Sequence, residues 1–520
     1  MYRDSSDQII YSPSDLTRFM ESAFASFMER RQLDIPEPNE RDEQSDELEL
    51  IVRTGNEHEK KYLQHLKHEG HDVCEITKGS NAELQTQQAI KAGREIIFQG
   101  CLRNETFRGY ADFLVRDEQG LYEVWDTKLS RKVKPYFLIQ LCCYTEMLSS
   151  QQDSLSEHTK VVLGDNNRQT FRVADYFYYY QQLKYAFLKQ MNEFTPESEP
   201  PVPDPRADHG RWQSHADDWL VQRDHLVQVA GITAGQIGKL NAAGIDTLEQ
   251  LAKTDVTRIP KLTPESFERL TNQARVQLAT RHRRESANDP EQTHPAWELL
   301  PPHPNNERAG LATMPPASKG DIYFDIEGYP LFENGLEYLL GAIVVENEQS
   351  KLHDWWAHDH HQEKASFEAF VDWAYARWLD DPAMHIYHYA PYEVTAMTRL
   401  MGEYATREDR VDTLLRNNVF VDLYRVVRQS LLIGGPNYSL KTVEQLYQER
   451  RAGDVKTAAG SMVHYANWIE SEEPQDWQSS DLLREIRDYN EVDCESTFQL
   501  AQWLRNLQSE HDVPWISNYR

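Results

Sequence analysis

The sequence predicts a multidomain protein of the α/β class. The chain has 520 residues, which is enough for two or three domains that each bury a core. Strand-like apolar segments alternate with segments of helical periodicity at both ends of the chain. Two proline-rich stretches, residues 195–205 and about 285–319, have the composition of connectors and enclose a short helical region. We therefore expect three domains, at residues 1–200, 215–285 and 315–520.

The N-terminal domain is expected to contain a mixed sheet with flanking helices, because strand and helix signals alternate along it. The acidic run at residues 39–49 is expected to be a solvated loop. The predicted elements are, in order, helices around residues 16–31 and 57–68, three strands between residues 95 and 129, a helix around Gln140, strands near Val161 and Phe171, and an aromatic helix at 175–194.

The middle region is expected to be all-helical. Its residues 231–251 combine glycines with short helical segments and are similar to helix–hairpin–helix modules. Such hairpins offer glycine amides to phosphates without reading base sequence. The same pattern also forms purely structural helix pairs, and both interpretations remain open.

The C-terminal domain is predicted to begin with three consecutive strands and to end with a long helix. The predicted elements are strands at residues 321–327, 337–346 and 350–357, a helix at 365–379, a strand at 385–389, further helices, and a last helix at 488–504.

Carboxylates concentrate at the strand ends and on the last helix of the C-terminal domain. Asp325 and Glu327 lie two apart on a strand and share one face. Like charges this close are costly unless a cation neutralises them, although a single such pair also fits an ordinary strand exit. Glu393 follows the next strand, and Tyr489 and Asp493 share one face of the last helix. Together they predict a divalent-metal site.

A second constellation lies on two predicted neighbouring strands of the N-terminal domain. Asp126 and Lys128 share a face of one strand, and Asp112 can meet them from the other. Acids in this arrangement hold Mg²⁺ or Mn²⁺, and a lysine can orient the attacking water or stabilise developing charge. Gln140 and Tyr144 follow on one face of a helix.

The C-terminal motifs resemble the DEDD exonucleases of the ribonuclease-H-like fold, in the variant with tyrosine in the third motif. The resemblance implies that Asp325, Glu327, Glu393 and Asp493 bind metal and that Tyr489 orients the attacking water. The family usually has aspartate where Glu393 stands. Asp422 is a possible substitute, which we interpret instead as a strand-end aspartate outside the metal shell.

The N-terminal motifs resemble PD-(D/E)xK nucleases of the RecB type, which have a restriction-endonuclease-like fold. Gln140 and Tyr144 match the QxxxY motif of that group, and His58 matches its metal-binding histidine at the opening of a helix. The resemblance implies that Asp112, Asp126 and His58 bind metal. With the C-terminal part, nearly the whole chain resembles bacterial RecB-like nucleases that add a YprB-type ribonuclease-H-like exonuclease domain.

One departure from that family concerns its iron–sulfur cysteines. The corresponding positions here, one near the start of the chain and three around Trp212, are occupied by non-ligating residues, and none of the five cysteines forms a CxxC pair. Neither hydroxyl nor methyl replaces a cluster-bound sulfur, so no iron–sulfur cluster is expected. The positions are Ser22, Ala207, Gly210 and Ala216.

Composition restricts the class of protein further. No stretch approaches eighteen apolar residues, and the first residues lack a signal-peptide core, so a cytoplasmic protein without membrane contact is expected. Five unpatterned cysteines argue against a disulfide framework. The net charge of −29 opposes tight general binding of nucleic acid, which local basic stretches at residues 128–134 and 281–284 and bound metals would partly offset.

Three functions are compatible with these features. The first is a metal-dependent nuclease with two candidate sites, acting on DNA more than RNA, in DNA processing, repair or defence by resemblance. The second is a nucleic-acid-binding or scaffold subunit of a helicase–nuclease complex with one active site or none. The third, an unrelated acidic enzyme such as a metallophosphatase, is disfavoured by the ordered motifs. The sequence has no GxxxxGK[ST] motif, so unwinding would require a helicase partner.

Overall fold

The computed structural model describes residues 1–35, 40–290, 292–301, 306–347, 349–448 and 458–516. The chain divides into two compact units, Met1–Trp219 and Leu220–Arg520. Of the helical region that the sequence predicts at residues 215–285, residues 220–285 fall within the second unit.

The first unit is built on a six-stranded mixed sheet with the order β3-β4-β5-β6-β7-β8. β4, β5 and β6 are antiparallel neighbours, whereas β3 runs parallel to β4 and β7 parallel to β6. The β5–β6 hairpin forms because Asp117 Oδ1 accepts hydrogen bonds from the backbone amides of Gln119 and Leu121, and because Gly120 adopts a φ of +87°. The strands are β1 Tyr2–Arg3, β2 Ile9–Ile10, β3 Val73–Glu75, β4 Ile96–Arg103, β5 Arg108–Arg116, β6 Tyr122–Thr127, β7 His158–Val162 and β8 Arg168–Arg172.

Helices cover this sheet, and α5 packs against it through a buried face that includes Cys142, Cys143 and Met147. The three strands and the helices around Gln140 and at 175–194 confirm the sequence prediction. The helices are α1 Pro13–Glu21, α2 Ala23–Asp34, α3 Asp46–His68, α4 Ala82–Lys91, α5 Pro135–Gln152, α6 Ala174–Glu193 and α7 Gln213–Gln222, with a 3₁₀ turn at Gly210–Trp212.

Three local predictions for this unit are wrong. The helix expected at 16–31 is two helices, because Ser22 is extended (φ −144°) and its hydroxyl caps α2. The acidic run is not a loop throughout, since α3 begins at Asp46 behind the N-cap Ser45, where first-turn carboxylates are favourable. His58 consequently lies in the middle of α3 and does not open a helix. Residues 36–39 lie outside the described residues.

The second unit contains a five-stranded sheet with the order β12-β11-β10-β13-β14. β10, β11 and β12 form an antiparallel meander, and β13 and β14 continue it in parallel from the other edge of β10. This arrangement confirms the predicted consecutive strands. The strands are β9 Trp297–Leu299, β10 Ile322–Tyr329, β11 Leu336–Glu346, β12 Gln349–Trp356, β13 Ile386–His388, β14 Phe420–Asp422 and β15 Leu431–Ile433.

Helices lie on both faces of this sheet, and the last one is longer than predicted: it begins seven residues earlier, behind the N-cap Ser480, and ends six residues later. Phe324 and Phe370 stack in the core between β10 and α11, and α17 packs on the other face. The helices are α8 Ala234–Asn241, α9 Leu248–Lys253, α10 Pro264–Glu285, α11 His360–Asp380, α12 Tyr392–Tyr404, α13 Glu408–Arg416, α14 Leu423–Ser430, α15 Leu440–Glu444, α16 Ala458–Glu470 and α17 Asp481–Glu510, with 3₁₀ turns at Leu226–Gln228 and Gly310–Thr313.

The stretch predicted as a second connector is partly ordered structure. Within residues 285–319, strand β9 pairs antiparallel with β15, and Gln273 of α10 donates a 2.7 Å hydrogen bond to the Ile433 carbonyl oxygen. Residues 291 and 302–305 lie outside the described part. In the described chain, no helix is both long and apolar enough to cross a bilayer.

Candidate functional site

Three carboxylates of the second unit converge at one point. Asp325 and Glu327 project from the same face of β10, as period-two alternation predicts, and Asp493 reaches them from α17. One oxygen of each lies within 4.8 Å of the others, a spacing that fits ligands of a shared cation. The sequence prediction that these three residues meet agrees with this geometry.

Burial makes this cluster electrostatically unstable without a counter-charge. Desolvation and the neighbouring charges of Glu327, Asp493 and Glu393 raise the pKa of Asp325 well above its usual value. Burial likewise raises the pKa of Glu327, to about 8, with Asp493 contributing. Because each carboxylate disfavours the ionisation of the next, the site would take up protons or a cation.

Neutral donors on other elements orient two of these carboxylates. The fully buried Asn490 donates a 2.9 Å hydrogen bond to Asp325 Oδ2, and Ser461 on α16 donates to Glu327 Oε2. Gly341 on β11 stands opposite Asp325, and a Cβ there would overlap the Asn490 amide. Sequence reasoning missed Asn490 and Ser461. The position of Asn490 beside Tyr489 was the only available signal for either.

Glu393 is not one of the three clustered acids. It lies buried in the first turn of α12, close enough to raise the pKa of Asp325. Its Oε2 is 3.3 Å from His388 Nδ1, but that nitrogen has to donate its hydrogen to the Ala390 carbonyl oxygen at 2.7 Å. Glu393 Oε2 therefore has no hydrogen-bond donor in the described chain, and such a buried acceptor suits a cation.

Asp422 occupies a different role in the fold. It ends β14 and caps α14, and its Oδ1 accepts a 3.0 Å hydrogen bond from the Ala390 backbone amide. Asp422 Oδ1 thus helps to hold the turn that precedes Glu393.

Tyr489 borders the acidic cluster from the same helix face as Asp493. Burial and hydrogen bonding to the Asp493 carboxylate raise the pKa of the Tyr489 hydroxyl, so the group remains protonated. The Lys441 ammonium lies 5.6 Å from the centre of the Tyr489 ring, and its charge partly offsets the rise in the pKa of Glu327. Lys441 was not predicted from the sequence as part of the site.

A comparison with known protein families finds a match in the part of the chain that holds the acidic cluster. The profile of the family described as the RNase_H superfamily matches residues 322–505, which include the sheet, Glu393 and Asp493. No curated protein matches the chain significantly. The second unit therefore contains an RNase H-like domain. Such a domain suggests nuclease activity in general, a nucleic acid substrate and the use of divalent metals.

The predicted residues of the first unit also come together. Asp112 on β5 accepts hydrogen bonds of 2.8 Å from the amide and hydroxyl of Thr127, which fixes its orientation. The Lys128 ammonium is 2.6 Å from Asp126 Oδ2 and 3.1 Å from Gln140 Oε1. Burial raises the pKa of Asp126, and the Asp112 charge adds to this effect.

Gln140 and Tyr144 serve different partners from one face of α5. Gln140 contacts Lys128, whereas the Tyr144 hydroxyl donates a 2.7 Å hydrogen bond to the Tyr110 carbonyl oxygen. Tyr144 thus ties α5 to β5 beside Asp112. This close packing explains why position 109 is a glycine, because a Cβ there would lie 3.0 Å from the Tyr144 ring.

His58 and its neighbour Glu59 complete this cluster from α3. His58 is hydrogen-bonded to the Leu163 backbone, and burial lowers its pKa, so the imidazole is neutral near pH 7. Its buried Nε2 has no hydrogen-bond partner within the described residues, as expected of a nitrogen available to a metal.

Sequence reasoning did not assign Glu59 to this site. Burial raises its pKa to about 7, and the charges of Asp112 and Asp126 contribute. Gln99 on β4 donates to one of its oxygens. Helical periodicity alone does not bring residues 58 and 59 to one site, so only the packing of α3 on the sheet reveals it.

Of the positions compared with iron–sulfur cysteines, Ser22 and Ala216 are buried in the first unit, whereas Ala207 is half-buried and Gly210 is exposed. Ser22 Oγ is 2.7 Å from His209 Nδ1, and Trp212 Nε1 donates a 3.0 Å hydrogen bond to Glu29. Ala216 belongs to the apolar cluster around Trp212. The absence of an iron–sulfur cluster stays a prediction.

Proposed function

We propose that the protein is a divalent-metal-dependent nuclease that hydrolyses phosphodiester bonds, with DNA as the favoured substrate. The observation that carries the proposal is the convergence of Asp325, Glu327 and Asp493 beside Tyr489 in an RNase H-like sheet. We further propose that this site acts as an exonuclease, from a 3′ end by resemblance to tyrosine-type DEDD enzymes.

The residues divide the work at the C-terminal site. Asp325, Glu327 and Asp493 would hold Mg²⁺ or Mn²⁺, with Glu393 as a further ligand, and bound metal would supply charge stabilisation and an activated water. Asn490 and Ser461 restrict the rotation of two carboxylates before any substrate arrives. The protonated Tyr489 hydroxyl is suited to orient the attacking water, because it can accept a hydrogen bond from that water or donate one to it.

A second active site is proposed in the first unit. Asp112, Asp126 and His58 would bind metal there, supported by the orphaned His58 Nε2, and Glu59 adds a fourth candidate ligand. Lys128, held by Gln140 and Asp126, would orient water or stabilise the charge that develops on the phosphate. The six-stranded sheet and the motif order support a PD-(D/E)xK assignment of the RecB type.

A second candidate function is a nucleic-acid-binding or scaffold subunit of a helicase–nuclease complex. Two observations favour it: the net charge of −29, and the position of Glu393 outside the three-carboxylate cluster. In that case a partner would supply most of the affinity for nucleic acid. DNA repair or defence is the pathway that the family resemblance suggests for either function.

The test is digestion of end-labelled single- and double-stranded DNA and RNA with Mg²⁺, Mn²⁺ or EDTA. Asp325→Ala should remove the C-terminal activity and Asp112→Ala the N-terminal activity, each by several orders of magnitude, because a catalytic metal supplies several kcal/mol. Glu346→Ala and Glu118→Ala change exposed acids in the same two units and serve as controls.

The pattern of products separates the two sites. Loss of terminal nucleotide release only in Asp325→Ala assigns exonuclease activity to the RNase H-like domain. Undiminished cleavage by the Asp112→Ala, Asp325→Ala double variant would contradict the two-site proposal. Metal-stimulated binding without cleavage in the wild type would favour the scaffold function.

A further inference from the structure

A small cavity in the second unit lies apart from the three clustered carboxylates. It has a volume of about 160 Å³ and is formed where α8, α10 and α14 approach one another. Both charged residues of its lining are arginines, and no carboxylate lines it. The lining residues are Ala230, Gly231, Gln236, Ser266, Arg269, Leu270, Gln273 and Arg428.

The two arginines are held close together with like charge. Arg269 Nη2 donates to the backbone carbonyl oxygen of Arg428, and the Arg428 guanidinium lies 4.5 Å from the centre of the Tyr438 ring. Burial, together with the positive charge of Arg428, lowers the pKa of Arg269. The backbone bond and the ring fix the positions of the two groups, but neither contact cancels a charge.

Neither guanidinium forms an ion pair within the described chain. By contrast, Arg281 on the same helix α10 forms a 2.6 Å pair with Asp224. The protein has 84 acidic and 55 basic residues, so a carboxylate partner would be easy to supply. Two half-buried guanidinium groups that line a cavity and have no carboxylate partner among the described residues are suited to bind an anion, because their planar N–H donors match the oxygens of a carboxylate or phosphate.

The rest of the lining is compatible with an anion. Ser266 Oγ accepts a 2.9 Å hydrogen bond from Thr263, which leaves its own hydrogen for a ligand. Gly231 has a φ of +82°, and a Cβ there would overlap the Arg428 guanidinium. A glycine at this position therefore keeps Arg428 in place at the cavity.

We propose that this cavity is a phosphate-binding site in which Arg269 and Arg428 donate hydrogen bonds to the oxygens of one phosphate group. Binding of a phosphate group at this cavity does not depend on whether the protein is a nuclease. That the phosphate belongs to a nucleic acid backbone rests on the proposed nuclease function. The site would then hold the strand at a point separate from the three clustered carboxylates and without reading bases.

The first experiment uses inorganic phosphate with the full-length protein in EDTA, measured by calorimetry against chloride at equal ionic strength. Arg269→Gln and Arg428→Gln should each weaken phosphate binding about tenfold, as expected for a charge-assisted hydrogen bond. Arg275→Gln removes the same charge from α10 outside the cavity and should bind like the wild type. Arg428→Lys should bind phosphate more tightly than Arg428→Gln but more weakly than the wild type, because a lysine ammonium keeps the charge and lacks the planar bidentate donors of a guanidinium.

The second experiment identifies the source of the phosphate. Fluorescence anisotropy of a labelled single-stranded 20-mer DNA in EDTA should show weaker binding in both glutamine variants. In each variant, the slope of log binding constant against log salt concentration should become shallower by about one. Weaker phosphate binding with unchanged DNA binding would keep the site and assign it to free phosphate. No phosphate binding by the wild type, or equal losses in Arg275→Gln, would overturn the proposal. Because neither measurement involves cleavage, failure of the nuclease proposal would be visible separately.

Discussion

Substituting Gly341 tests whether the acidic cluster depends on its neutral supports. Gly341 lies on β11 opposite Asp325, and a Cβ placed there would be only 1.6 Å from Asn490 Oδ1. Gly341→Ala should therefore push Asn490 away and break its 2.9 Å hydrogen bond to Asp325. No metal ligand is changed by this substitution.

The clash and the lost hydrogen bond should lower stability and activity, respectively. Overpacking of a buried site costs about 1–3 kcal/mol in the free energy of unfolding. Loss of a hydrogen bond that a neighbouring, non-ligand residue makes to a metal-binding carboxylate typically lowers activity or metal affinity about 10- to 100-fold. Both quantities can be measured, by urea denaturation and by release of labelled nucleotides.

Gly402→Ala is the matched control. Gly402 lies in α12 with nothing within 4 Å of a built Cβ, so alanine should stabilise the helix by about 0.5–1 kcal/mol and leave activity unchanged. The Gly341→Ala, Asn490→Ala double variant should lose less stability than the sum of its single changes, because the clash is gone. Wild-type stability and activity in Gly341→Ala, or strict additivity, would refute the reasoning.

Three further predictions concern the second unit and one the first. Glu393→Asp should largely preserve C-terminal activity and Glu393→Gln should impair it; wild-type activity of Glu393→Gln with an inactive Asp422→Asn would assign the second acid to Asp422. Tyr489→Phe should keep metal binding, measured by calorimetry, and lose turnover, since only the hydroxyl goes. Burial lowers the pKa of His385 to about 4, below its unfolded value of about 6.5. The stability from its neutral form is therefore complete above pH 6.5 and falls as the pH drops towards 4. Between pH 7.5 and 5 the loss is about 2 kcal/mol, which His385→Gln should abolish in urea titrations. Protein purified without oxygen should be colourless and free of stoichiometric iron and sulfide, because Ser22 offers no thiolate.

Local periodicity was sufficient to predict part of the candidate site. Alternation along a strand places Asp325 and Glu327 on one face, and the spacing of four on a helix does the same for Tyr489 and Asp493. That the two pairs meet depends on α17 packing against β10, which the sequence only suggested through the resemblance.

What periodicity could not supply are contacts between distant segments. Glu59 joins the first cluster only because α3 packs on the sheet, and Ser461 reaches Glu327 across 134 positions of sequence. The break at Ser22 was missed for a related reason. Its hydroxyl caps α2 and contacts His209, and that distant partner is not encoded in the helical pattern.

The pairing of β9 with β15 determines how the RNase H-like domain can be isolated. A fragment starting at residue 315, the boundary that the sequence suggests, would lack β9 and leave the buried strand Leu431–Ile433 as an open edge. It would also lose the Gln273 side chain that binds the Ile433 carbonyl and the Tyr438 hydroxyl. Open apolar edges promote aggregation. A soluble fragment for crystallisation should therefore start near Leu220, at the start of the compact unit.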